Sequence, residues 1–82
     1  MADSEELFAE LAAQIGAPSL GPEEVGAVLR LAKAVADTSE RRFAPVSCYA
    51  AGLVIGTATA DPHVRVERLR GIIELVRRAD LS

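Results

Sequence analysis

Four stretches of helical periodicity, separated by glycine and proline, run along the chain. Leu7, Phe8, Leu11, Ala12 and Ile15 recur at three- and four-residue spacing, so they share one face of a helix from about Ser4 to Ile15. Asp3 suits the N-cap, with Glu6 three residues on completing a capping box, and Gly16 suits the C-terminal stop. Pro22 opens a second helix, where its missing N–H costs nothing. Its apolar stripe is Val25, Val28, Leu29, Ala32, Val35 and Ala36, with Leu31 on the edge and Arg30, Lys33 and Asp37 opposite. The segment 37–44 reads as a loop into which this helix can extend.

Pro45 is expected to open a third helix reaching about Thr59. That segment carries no charge, and a helix without a polar face must be covered all round. It is therefore expected to be the most buried of the four, or partly in a subunit interface. Cys48, Gly52, Gly56 and Ala60 stand four apart and form a ridge of small residues that lets another backbone approach. Asp61-Pro62 is an N-cap with a first-turn proline, starting a fourth helix to about Ala79. Val66, Leu69, Ile72, Ile73 and Val76 form its main apolar face. Val64, Gly71 and Leu75 form a thinner stripe on the other side, as expected of a helix sandwiched between subunits. No strand pattern or repeat is present. The expected fold is all-α: one compact four-helix domain over residues 1–82 with short loops.

Composition narrows the function. With 82 residues the chain is one small domain, and a single core of this size rarely contributes more than about 3–5 kcal/mol of net stability. Aromatics are confined to Phe8, Phe43 and Tyr49, which gives no stacking platform for bases or sugars. A net charge of −3 and the lack of a basic residue in the third segment argue against a nucleic-acid partner. The acidic start is the opposite of a secretory leader, and the uncharged run Phe43–Ala60 is too short and too alanine-rich to span a bilayer. The expectation is a soluble, cytoplasmic domain. One cysteine and one histidine leave no disulfide framework and no multi-cysteine or multi-histidine metal site.

Charge is unevenly spread: eight acids and two bases in residues 1–40, four acids and seven arginines in 41–82. On the fourth helix Glu67–Arg70, Arg70–Glu74 and Glu74–Arg78 stand at pairing distance, so most of that positive charge is expected to be neutralised locally. Arg41 and Arg42 precede a helix N-terminus, where free N–H groups and a guanidinium can converge on an anion, although Glu40 is adjacent and can occupy one of them. Cys48 and His63 lie 15 residues apart, over about 20 Å along a helical rise, too far for a nucleophile and its base. No enzyme constellation is evident, and no cofactor is expected.

Two resemblances bear on function. Gly16-Ala17-Pro18-Ser19-Leu20 is similar to the Gly-x-Asp-Ser-Leu context of acyl carrier proteins, in which the serine carries the prosthetic group; Pro18 replaces the aspartate and the long preceding loop is absent. More extensively, LAKAVADTSERRFAPVSCYAAGLVIG (Leu31 to Gly56) resembles an uncharacterised family of small bacterial helical domains found alone, beside or fused to molybdenum-cofactor guanylyltransferases. The matching residues are Leu31, Ala32, Val35, Ala36, Arg41, Ala44, Pro45, Val46, Ser47, Tyr49 and Gly52. Arg42 and Phe43 depart from the family's proline and alanine, and Cys48 from a hydroxyl residue. The resemblance implies an accessory role near molybdopterin guanine dinucleotide assembly, in which the domain binds the guanylyltransferase, a molybdopterin enzyme or a nucleotide-like ligand; the alternative to a non-catalytic interaction domain is a binder of a small anionic ligand or nucleotide at Arg41 to Tyr49. The candidate ligand or partner residues are Arg41, Arg42, Pro45, Ser47 and Tyr49. The candidate interface or close-packing residues are Cys48, Gly52, Gly56, Val64, Gly71 and Leu75, in a homodimer.

Overall fold

A computed structural model describes residues 4–81 as four helices: α1 (Ser4–Gln14), α2 (Pro22–Thr38), α3 (Phe43–Ala58) and α4 (Pro62–Leu81). The expected all-α fold is thus present. The proposed Asp3 cap lies outside the described residues. Local chemistry sets the helix ends. At the end of α1, Gly16 takes φ +76°, and the Gly16 and Ala17 amides donate to the carbonyls of Ala13 and Ala12. This is the Schellman arrangement, which favours glycine because a Cβ is strained in that conformation. At the start of α4, the His63 amide donates to Asp61 Oδ1 at 2.9 Å, as an N-cap requires.

The α2–α3 connection is shorter than the sequence suggests. α2 runs on to Thr38, whose hydroxyl donates back to the Ala34 carbonyl. α3 begins at Phe43 rather than Pro45, because the Phe43 and Ala44 amides bond to the Glu40 and Arg41 carbonyls and start the turn early. Pro45 then sits within the first turn, where no intrahelical donor is required.

The centre of the fold is α2, which packs against both α3 and α4; α3 and α4 meet only lightly. Ala27, Leu31 and Val35 of α2 meet Ala51 and Ile55 of α3 and Leu69 and Ile73 of α4. Two expectations are corrected here. Leu31, placed on the edge of the α2 stripe, is at its middle and fully buried, whereas Leu29 is 64% exposed. The third helix is not the most buried: only Ala44, Ala51 and Ile55 of α3 are buried, while Val46, Tyr49, Leu53 and Val54 face outward. The reason is the place of α1. Together with Val25, Gly26 and Leu29 it bounds a groove on the side of α2 away from the core, so it cannot cover α3. Among the described residues no Cα of α1 comes within 8 Å of another helix.

α4 follows expectation more closely. Val66, Leu69 and Ile73 are buried, Ile72 and Val76 pack against the core, and Leu75 is exposed. Of the three expected α4 pairs only Glu67–Arg70 forms; Glu74 pairs with Arg77 instead of Arg70 or Arg78. Arg70 also reaches Glu23 of α2 at 3.1 Å.

The strongest polar contact joins α2 to α4. Glu24 accepts two hydrogen bonds from Arg65, Nε to Oε2 at 2.6 Å and Nη2 to Oε1 at 2.9 Å. Arg65 Nη1 also donates to the Ala60 carbonyl at 2.8 Å. One guanidinium thus ties the first turn of α2, α4 and the loop after α3 together. The hydrogen bond that Arg65 donates to Glu24, ahead of the opposing effect of burial, pushes the Arg65 pKa up, so the guanidinium is held charged.

Candidate interaction surface

The residues singled out around the start of α3 do not converge. Arg42 pairs with Glu40 at 2.6 Å and its guanidinium lies over the Phe43 ring, 4.9 Å from the centroid. Glu40 therefore does occupy one of the two arginines. Arg41, Pro45 and Tyr49 are exposed, and Ser47 is half-buried. None of Arg41, Arg42, Pro45, Ser47 and Tyr49 lines the groove beside α2. These residues form a strip of surface rather than a cradle.

The candidate packing residues separate into two groups. Cys48 is half-buried at the edge of the core, with Sγ 3.8 Å from the Val28 carbonyl. Val64 is half-buried, and Leu75 is exposed. A Cβ added at Gly52, Gly56 or Gly71 would meet nothing within 4 Å, so none of them serves close helix packing inside the chain. Burial pushes the Cys48 thiol up. Because the thiolate is the reactive form, iodoacetamide at mildly alkaline pH should alkylate Cys48 on the order of tenfold more slowly in the folded chain than in urea. Equal rates would contradict its burial.

The groove between α1 and α2 was not anticipated. It encloses about 950 Å³ and is lined mainly by apolar groups, among them Phe8, Ala12, Leu20, Val25 and Leu29. Ser19 also lines it, from the exposed loop after α1. The sequence signal was available: α2 has apolar residues on two faces, Ala27-Leu31-Val35 and Val25-Leu29, and only one of them can face α3 and α4. On α1 itself, Leu7, Phe8, Leu11 and Ile15 are all more than half exposed.

The surface total gives this apolar exposure a scale. A folded monomer of 8.6 kDa is expected to expose about 4,700 Å². This chain exposes 6178 Å², a surplus of roughly 1,500 Å². The radius of gyration is 13.4 Å, against about 12 Å for a compact chain of this length. The exposed large apolar side chains lie on α1, on α3 and at Leu29 and Leu75, the distribution expected of a surface that another protein covers.

Among the described residues no group of three or more His, Cys, Asp or Glu is placed to hold a metal ion, and no helix is long and apolar enough to cross a membrane. No curated protein and no solved structure matches the chain significantly. Residues 1–80 match the family described as Domain of unknown function (DUF6457), and the chain belongs to that family.

Proposed function

We propose that this is a non-catalytic accessory domain that works by binding other proteins. The observation that carries the reading is the surplus of exposed surface, roughly 1,500 Å² against the ~800 Å² that each partner buries in a standard protein interface, together with the exposed large apolar side chains of α1 and α3. The groove between α1 and α2 is a natural seat for apolar anchors of a partner, since its small residues Ala9, Ala12, Ala13 and Gly26 leave room for larger side chains. The partner class comes from the resemblance of Leu31 to Gly56. It is a molybdenum-cofactor guanylyltransferase or a molybdopterin enzyme, with the domain acting near the assembly or insertion of molybdopterin guanine dinucleotide.

The test is direct binding. The immobilised chain should capture the purified guanylyltransferase or a molybdopterin enzyme saturably, and Leu29→Asp should weaken capture by at least about 30-fold. Leu29 lies outside the core, so that variant should keep its helicity. Capture of neither protein would sink the reading, as would a Leu29→Asp variant that binds like wild type. Two competing readings are a small anionic ligand or nucleotide at Arg41–Tyr49 and a prosthetic group on Ser19. The first is weakened by the pairing of Arg42 with Glu40, and the second by Pro18 in place of the aspartate.

A further inference from the structure

We infer that the outward face of α3 is the two-fold interface of a homodimer. The inference rests on reading the exposed apolar surface as a protein-binding surface, and it names the occupant of the part of that surface that lies away from the groove.

The face is built by register. With Ala44, Cys48, Ala51 and Ile55 turned toward α2, the 3.6-residue period puts Val46, Tyr49, Ala50, Leu53 and Gly56 on the side turned away from α2. Tyr49 is 70% exposed and Leu53 53%. Among the described residues nothing covers them, because α1 bounds the groove on the other side of α2.

Three observations favour a second copy as the occupant. The first is area: the chain as a whole exposes roughly 1,500 Å² more than expected, above the ~800 Å² per subunit of a standard interface, and Val46, Tyr49, Leu53 and Val54 of α3 are among its exposed large apolar side chains. The second is charge: α3 has no ionisable residue other than Cys48 and Tyr49, so two identical faces meet without like-charge repulsion or ion desolvation. A two-fold interface must complement itself, and an uncharged face meets that condition. The third is shape. Large Val46, Tyr49 and Leu53 stand beside small Ala50 and Gly56, and the space beside Gly56 is open. A side chain of one copy can therefore seat against Gly56 of the other. Thr57 makes no polar demand on the seam, since its hydroxyl already donates to the Leu53 and Val54 carbonyls.

The test is sedimentation equilibrium over a range of micromolar concentrations, with helicity followed by circular dichroism. Wild type should sediment at twice 8.6 kDa. Leu53→Glu should weaken self-association by at least about 30-fold, and Leu11→Glu on α1 should leave it unchanged. Gly56→Leu adds apolar surface and helix propensity, so it would strengthen indiscriminate sticking; a specific seam that needs the glycine's space is weakened instead. If Leu53→Glu loses helicity, the dimer and the fold are coupled, and the wild-type Tm must then rise with protein concentration. A monomeric wild type overturns the inference. So does a dimer that neither Leu53→Glu nor Gly56→Leu disturbs, or a fold lost in Leu53→Glu with a concentration-independent wild-type Tm. A monomer that still captures a molybdenum-cofactor protein overturns the homodimer alone; a monomer that captures none overturns the interaction reading as well.

Discussion

Leu31→Ala should bring the domain to the edge of unfolding. Leu31 is fully buried at the point where α2 meets both α3 and α4, among Ala27, Val35, Ala51, Ile55, Leu69 and Ile73. Removing a buried leucine side chain costs about 2–5 kcal/mol, because the transfer free energy is lost and the cavity collapses only in part. A single core in a chain this short rarely contributes more than about 3–5 kcal/mol. The two ranges overlap, so this substitution alone can exhaust the stability. Urea titration by circular dichroism should show the midpoint falling close to zero denaturant. The control is Leu29→Ala, two residues away and 64% exposed, which should move the midpoint little. Equal losses at the two positions would mean that α2 presents a different face to the core.

The second large effect is expected at the Glu24–Arg65 pair. Both side chains are nearly buried, at 7% and 11% exposure, and Arg65 donates two hydrogen bonds to Glu24. Changing Glu24 to Leu leaves an uncompensated guanidinium against the core, and changing Arg65 to Met leaves an uncompensated carboxylate. Each single change should lower Tm by roughly 10 °C or more. The double change Glu24→Leu with Arg65→Met should recover most of that loss, since an apolar pair of similar volume needs no desolvation of ions. It should not recover all of it, because the bond from Arg65 to the Ala60 carbonyl goes too. Thermal melts of the four chains form a double-mutant cycle. Additive losses would show that the two side chains do not act as a pair.

Much of the fold was legible because its punctuation is strong. Gly16, Pro22, Asp61 and Pro62 mark helix ends by backbone chemistry that works locally, and the observed ends follow them to within a residue or two. The α4 core face was also readable, since its arginines and glutamates leave one dominant apolar stripe. What failed was the choice between two apolar faces. α2 and α3 are apolar on more than one side, and periodicity cannot say which side turns inward. That is settled by where α1 goes, which is a tertiary matter. The rule that an uncharged helix must be covered pointed to the wrong location for α3: its outward face is left open within the chain.

The Glu24–Arg65 pair was missed for a related reason. Its members are 41 residues apart, and Glu24, beside Glu23 in the first turn of α2, has the place of an ordinary acid facing the helix dipole. The register held the clue, because Glu24, Ala27, Leu31 and Val35 stand three, four and four apart. A glutamate on the core face of a helix needs a cation to meet it. The groove beside α2 was hidden in the same way, behind the assumption that the apolar face of α1 would be used inside the chain.

The central claim is that proteins cover the apolar surface left by α1 and α3. The most direct measurement is native mass spectrometry of the chain purified from its own cells. The account predicts assemblies containing two copies of the 8.6 kDa chain, alone or with a further protein, and no small-molecule adduct lost on Arg41→Ala. A single bare chain, or a single chain carrying a small anionic ligand that Arg41→Ala removes, would contradict it.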